Sequence, residues 1–91
     1  VKFKSHLDGT VHFLSPERSI QIQAELGVDI SMMLAECPPY PCSREEAENA
    51  MRRTHRWAHR NLSARKEGQA IFGIVQGGVH EDLRAESAAY M

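Results

Sequence analysis

The sequence has few cysteines, little net charge and no long apolar run. Cys37 and Cys42 alone are too few for a secreted disulfide scaffold, and their spacing is not that of a CxxC zinc site. The formal net charge of −1 excludes the uniformly basic surface of a small nucleic-acid-binding module and leaves room only for a local basic face. No segment approaches the roughly 18 apolar residues of a membrane span, and no signal peptide is recognisable. We therefore expect free thiols, no membrane association and a cytoplasmic location.

The composition that is present is that of an ordinary globular domain, with 42% hydrophobic and 25% charged residues. Ninety-one residues allow one domain at most. A chain of this length buries only roughly 60–65% of its unfolded surface, so its core would be marginal alone. The first residue is Val1 and not Met. We therefore expect a fragment of a larger domain.

Local turn and capping signals predict a hairpin and three helices. Asp8-Gly9 separates two short segments, residues 2–4 and 10–14, and such a pair is typical of a hairpin turn because Gly accepts a positive φ. A Ser-Pro start with a Gly end, and further along a Ser-x-x-Glu capping box, mark helices. The predicted helices cover residues 16–26, about 44–63 and about 80–91.

Two short apolar segments, residues 28–34 and 69–75, read as strands buried on both faces of a parallel sheet. A proline-rich loop, residues 35–42, follows the first strand, and residues 76–78 (QGG) follow the second. Ligands in α/β folds gather at the carboxyl ends of the strands. The alternating order therefore predicts an α/β fold in which the loop and the QGG turn face one common site.

An ordered set of motifs resembles a known family. Residues 3–9 (FKSHLDG), 15–17 (SPE), 36–41 (ECPPYP) and 72–78 (FGIVQGG), with EDLR at 81–84, resemble bacterial tRNA-guanine transglycosylase, also called queuine tRNA-ribosyltransferase. The resemblance covers almost the whole chain. It implies a partial (β/α)8 TIM barrel with a β-hairpin at its N-terminal end, residues 1–14, and two β/α units, residues 15–63 and 64–91.

The resemblance implies a base exchange in which guanine at the tRNA wobble position is replaced by a queuosine precursor, preQ1 or queuine. The family uses an aspartate nucleophile that holds the tRNA covalently and a second aspartate as acid/base. These aspartates and the structural zinc site of the family are expected outside this chain, which would be inactive alone. The implied partners are a tRNA with a guanine wobble base and a small deazaguanine base, and the full-length protein is expected to be a homodimer.

Three residues match the family's base pocket. Gln76 matches the glutamine whose amide orients the base, and Gly77 lets a flat ring approach the backbone. Cys37 matches a cysteine that lines the pocket. The plainer alternatives are that Gln76 caps a strand end and that Gly77 only turns the chain. For Cys37 we expect a small buried packing role rather than chemistry.

Ala35 departs from the family pattern, which has an aspartate directly before Glu-Cys. That carboxylate accepts hydrogen bonds from guanine N–H groups, and each donor left unpaired by alanine costs about 1–3 kcal/mol. Glu36 is no easy substitute, because adjacent side chains of an extended segment point to opposite sides. Three explanations stay open: an engineered or natural knockout, a sequence error, and a noncatalytic paralogue resembling the accessory subunit of eukaryotic transglycosylases. The alternative function is therefore a noncatalytic tRNA-binding or accessory subunit. The ordered motifs disfavour an unrelated barrel hydrolase.

For the remaining polar residues that could take part in chemistry, we expect structural or solvated roles. His55 and His59 are four residues apart, but Arg56 stands where a metalloprotease helix needs Glu, so we expect no metal site. Asp8, beside His6, is explained by the hairpin turn. The arginines of the long helix are expected to be solvated and not bound to tRNA phosphates: Arg52, Arg53, Arg56 and Arg60.

Overall fold

The structure, a computed structural model, describes residues 1–91 and contains four short strands and three helices. The strands form two separate two-stranded sheets, one antiparallel and one parallel. The predicted α/β class is confirmed, as are the three helices to within a residue. In chain order the elements are β1 (Lys2–Lys4), β2 (Val11–Phe13), α1 (Pro16–Leu26), β3 (Ile30–Met32), α2 (Arg44–Ser63), β4 (Ala70–Phe72) and α3 (Glu81–Tyr90).

The β1–β2 hairpin forms around the predicted Asp-Gly turn. Lys2 pairs with Phe13 across the antiparallel ladder. Asp8 Oδ1 accepts from the Thr10 backbone N–H at 2.9 Å, and Gly9 has a φ of 74°. The Asp8 carboxylate is therefore used in the turn, as the sequence indicated.

Side-chain caps set the bounds of α1 and the start of α2. Ser15 Oγ accepts from Arg18 N at 3.1 Å, and Gly27 closes α1 in the left-handed conformation with a φ of 70°. Ser43 Oγ accepts from Glu46 N, also at 3.1 Å. Because these signals are local, the helix bounds were predictable from sequence.

The β3–β4 sheet is parallel, with Ile30 opposite Ala70 and Met32 opposite Phe72, and α2 lies between the two strands in the chain. Within residues 1–91 its strands are buried on one face only, whereas the prediction, made for the larger domain, was burial on both faces. Ser31 is fully buried, whereas Ile30, Met32 and Phe72 are 51%, 45% and 54% exposed. Successive side chains alternate between faces, and the helices cover only the Ser31 face. An apolar open face remains on the other side.

The packed core is small and lies mainly between α2 and α3. Ala47 and Met51 of α2 contact Leu83 of α3, and all three are buried. Ile20 of α1 is also fully buried. None of the three helices combines the length and the apolar character needed to cross a membrane.

The arginines of α2 form ion pairs with neighbouring elements. Arg60 donates to both oxygens of Glu17 on α1 at 2.6 and 2.8 Å, and Arg44 holds Asp82 of α3 through both guanidinium nitrogens. Such exposed pairs contribute little to stability individually. They do neutralise most of the cationic face of α2, for which the sequence predicted solvation and not phosphate binding: Arg52 pairs with Glu48 and Glu86, and Arg53 with Glu36.

Candidate functional site

The proline-rich loop after β3 and the QGG turn after β4 line a common cavity of about 340 Å³. Both segments follow the carboxyl ends of adjacent parallel strands, which brings them to the same edge of the sheet. Arg84 and His80 reach the cavity from the start of α3, and no carboxylate lines it. The residues from the loop are Cys37, Pro38, Pro39, Tyr40 and Cys42, and those from β4 onward include Ile74, Val75, Gln76, Gly78 and Val79.

Gln76 brings an amide group without a partner to this cavity. The residue is only 8% exposed, and its backbone N–H donates to Ser87 Oγ at 2.8 Å. Its side-chain amide makes no hydrogen bond to the rest of the chain, and no polar atom is both fully buried and unpaired. A primary amide offers two donors and an acceptor. Gln76 can therefore bind a flat, polar ligand through hydrogen bonds on the ligand's edge.

Gly77 is required by the close approach of α3. Its φ is 115°, a value that L side chains rarely adopt, and an added Cβ would lie 2.7 Å from Arg84 N and 2.8 Å from Leu83 C. These are backbone atoms that cannot turn aside. Packing alone therefore accounts for glycine at this position, whether or not a ligand also approaches it.

Cys37 is exposed on the wall of the cavity, so its predicted buried packing role is wrong. Its Sγ lies 3.8 Å from the carbonyl oxygen of Pro38 and has no other polar contact. Cys42 takes the packing role instead, since it lies against the core residues of α2 and α3. The sequence could not distinguish the two thiols because both stand beside a proline.

Ala35 lies outside the cavity of Gln76 and Cys37. It lines a neighbouring concavity of about 470 Å³ together with Glu36, Arg53, Trp57 and Val1. Glu36 receives two hydrogen bonds from Arg53, at 2.8 and 2.9 Å. The carboxylate of Glu36 is thus paired with Arg53 of α2.

Two polar side chains of α2 hold the backbone on either side of Ala35. Asn61 Oδ1 accepts from Leu34 N at 3.0 Å, and its Nδ2 donates to Leu34 O at 3.3 Å. Thr54 Oγ1 accepts from Glu36 N at 3.0 Å. Both side chains lie on the buried face of the helix, and their contact with the loop was not identified from the sequence. The available signal was a polar residue on an otherwise apolar stripe.

The two histidines of α2 contact α3. His55 Nε2 lies 2.9 Å from Ser87 Oγ, and the imidazole stacks on Tyr90 with centroids 4.1 Å apart. His59 Nε2 lies 2.6 Å from the Tyr90 hydroxyl oxygen. Burial lowers the pKa of His55 below its ordinary value. No three His, Cys, Asp or Glu side chains of the chain cluster as metal ligands would.

Comparisons with known proteins identify relatives over the full chain. A model of the family described as Queuine tRNA-ribosyltransferase matches residues 1–91. The chain is 58% identical over 90 residues to a queuine tRNA-ribosyltransferase of Listeria welshimeri, covering 97% of this chain and 24% of the relative. It is 56% identical over 88 residues to that of Halothermothrix orenii, covering 96% and 24%. The chain thus spans about a quarter of the length of the curated relatives it matches.

Proposed function

The chain belongs to the queuine tRNA-ribosyltransferase family, and from this membership we propose that the whole protein is a tRNA-guanine transglycosylase. It would be a pentosyltransferase that exchanges guanine at the tRNA wobble position for preQ1 or queuine. In this proposal residues 1–91 are the central part of one (β/α)8 TIM barrel, with a hairpin over residues 1–14 and β/α units over 15–63 and 64–91. Parallel pairing of β3 and β4, with helices on one face only, supports the barrel.

The observation that supports this function most directly is the unpaired amide of Gln76 at the cavity. A nucleobase presents a carbonyl oxygen and N–H groups on one edge, and one amide can pair with both. We propose that Gln76 orients the base in this way, with Cys37 on the opposite loop and Gly77 at the turn beneath it. A cavity of about 340 Å³ has the size of a small-molecule site.

The chemical step is assigned to other parts of the protein. The nucleophilic and acid/base aspartates are expected outside residues 1–91, as is the structural zinc, for which this chain offers no ligand cluster. The proposed partners are a tRNA with a guanine wobble base and a small deazaguanine base. A homodimer in the cytoplasm completes the proposal.

Ala35 favours a second candidate function. A family member that lacks the carboxylate at this position has lost two acceptors for the base and could serve as a noncatalytic tRNA-binding or accessory subunit. The two functions differ in one measurable respect. The enzyme exchanges the base once the carboxylate is restored, whereas the accessory subunit binds tRNA without exchange.

The test is the incorporation of labelled guanine into tRNA by the full-length protein and by its Ala35→Asp variant. The concavity beside Ala35 is open and leaves room for a carboxylate. The proposal requires the bound base to extend from the cavity at Gln76 to this neighbouring concavity, where a carboxylate at position 35 would meet it. Two recovered hydrogen bonds, at about 1 kcal/mol or more each, should then improve base affinity by about 30-fold or more. Ala35→Asn is the matched control because it has the shape of Asp without the charge.

The outcomes separate the two functions. Exchange that rises in Ala35→Asp and not in Ala35→Asn supports the transglycosylase. Tight tRNA binding without exchange in any variant supports the accessory subunit. Rapid exchange by the parent protein, unchanged in Ala35→Asp, would show that position 35 does not control base binding.

A further inference from the structure

A chain of buried polar groups connects the cavity wall at Gln76 to α2. The backbone N–H of Gln76 donates to Ser87 Oγ at 2.8 Å, and the same oxygen lies 2.9 Å from His55 Nε2. Ser87 is fully buried, and His55 is 6% exposed. A hydroxyl that accepts from an N–H still has its own proton to donate, so Ser87 can bond to both groups at once. The proposed base exchange uses neither Ser87 nor His55.

Tyr90 packs against the imidazole of His55, the last group of this hydrogen-bonded series. Its ring is nearly parallel to that of His55, with an interplanar angle of 4°, and its hydroxyl donates to the His55 carbonyl at 3.2 Å. These contacts leave the imidazole little freedom to turn away from Ser87. The geometry at Ser87 is therefore determined from both helices.

The Gln76 peptide depends on this anchor. Gln76 lies four residues beyond the end of β4, and its N–H has no partner other than Ser87. Two glycines with positive φ, Gly77 and Gly78, follow it. The β3–β4 ladder before Gln76 and the glycine turn after it therefore restrain its peptide less than the hydrogen bond to Ser87 does. A shift of this peptide moves the side-chain amide that lines the cavity.

We propose that Ser87 and His55 are positioning residues for Gln76. The Ser87 hydroxyl oxygen accepts a hydrogen bond from the Gln76 peptide N–H, and Nε2 of neutral His55 accepts a hydrogen bond from the Ser87 hydroxyl. The benefit to base binding rests on the proposed function, whereas the anchor itself is a property of the fold. The experiment therefore reads the anchor and the base binding separately.

The protonation state of His55 matters for this arrangement. A protonated imidazole turns Nε2 into a donor, so that Ser87 Oγ faces two donors and its own proton loses its acceptor. Burial lowers the pKa of His55, Glu86 opposes this shift and Arg52 adds to it. The neutral form therefore prevails above pH 6.5, the ordinary value for the group. The other ionisable groups beside His55 are Arg56 and Tyr90, which line the same surface concavity, and His59, which bonds to Tyr90.

The test combines hydrogen–deuterium exchange of the full-length protein with steady-state kinetics in the Ala35→Asp background. Ser87→Ala should speed amide exchange at Gln76 by about tenfold and raise the KM for the base by about tenfold at unchanged kcat. His55→Gln keeps an acceptor for Ser87 but does not titrate. It should remove the rise in KM that we expect of the parent as the pH falls through the lowered pKa of His55. Ser63→Ala is the control, since Ser63 is exposed at the end of α2.

Each outcome decides a separate point. Unchanged exchange at Gln76 in Ser87→Ala overturns the anchor, whatever the activity. Faster exchange with an unchanged KM overturns its role in base binding, as does a fall in kcat alone, which a merely structural role would produce. Absence of base exchange in every background refutes the proposed function, and the amide exchange then decides the anchor by itself.

Discussion

Asn61→Leu should lower the free energy of unfolding by about 2–4 kcal/mol. Asn61 is 1% exposed and bonds to both the N–H and the C=O of Leu34, at 3.0 and 3.3 Å. Leucine has a similar volume but offers neither group, so both peptide groups lose their partner just beyond the last ladder bond, from Met33 N to Phe72 O. An unpaired buried peptide group costs about 1–3 kcal/mol, and the lower part of that range applies because Leu34 is only partly buried.

The assay is urea unfolding of the full-length protein, followed by fluorescence and circular dichroism so that a two-state transition can be verified. Asn49→Leu is the matched control, because Asn49 is exposed on the same helix. It should change the free energy of unfolding by less than about 0.5 kcal/mol. If Asn61→Leu stayed within that margin at an unchanged m-value, the reasoning from paired backbone groups at Leu34 would be refuted.

Three further predictions concern the turn, an ion pair and the thiols. Gly77→Ala should destabilise the protein by about 2 kcal/mol or more, because the new Cβ meets the backbone of α3 at a φ of 115°. An unchanged melting temperature would contradict this. Arg60→Gln should return the Glu17 pKa from about 2 towards 4.5, measurable by NMR titration, since the hydrogen bond from Arg60 is the main cause of the lowered pKa. The stability from this pair is present above pH 4.5 and is lost as the pH falls towards 2, so variant and parent should converge there; a constant difference would disprove the assignment. Cys37 should be alkylated faster than the half-buried Cys42, as peptide mass mapping would show, and equal rates would argue against the exposed loop.

Helix bounds were predictable because their signals are local. Ser15, Gly27 and Ser43 each act on backbone groups within four residues, so the sequence contains the whole interaction. The faces of the strands were not predictable in the same way. The apolar run at residues 28–34 identifies a strand, but only the position of the helices determines that Ser31 is buried and Ile30 is open. The run also overestimated the strand length, since only Ile30–Met32 pairs with β4 in the ladder.

The candidate site was predictable at the level of segments and less so at the level of side chains. The rule for the carboxyl ends of parallel strands correctly brought the proline-rich loop and the QGG turn to one cavity. It could not predict that Ala35 lies outside that cavity or that Cys37 is exposed, since both positions depend on the path of the loop. The contacts of Thr54 and Ser87 join residues distant in sequence, and a buried hydroxyl gives no indication of its partner.

The position of α2 determines how the site would respond to an insertion in this helix. Thr54 and His55 are neighbours in the chain and about 100° apart around the helix axis, yet they support different walls. Thr54 bonds to the loop at Glu36, and His55 reaches the turn through Ser87. The distance between the two walls is thus determined by two consecutive residues of one helix. A one-residue insertion between Thr54 and His55 would therefore rotate one support by about 100° relative to the other and misalign the two walls, whereas an insertion elsewhere in the helix would leave their relative orientation unchanged.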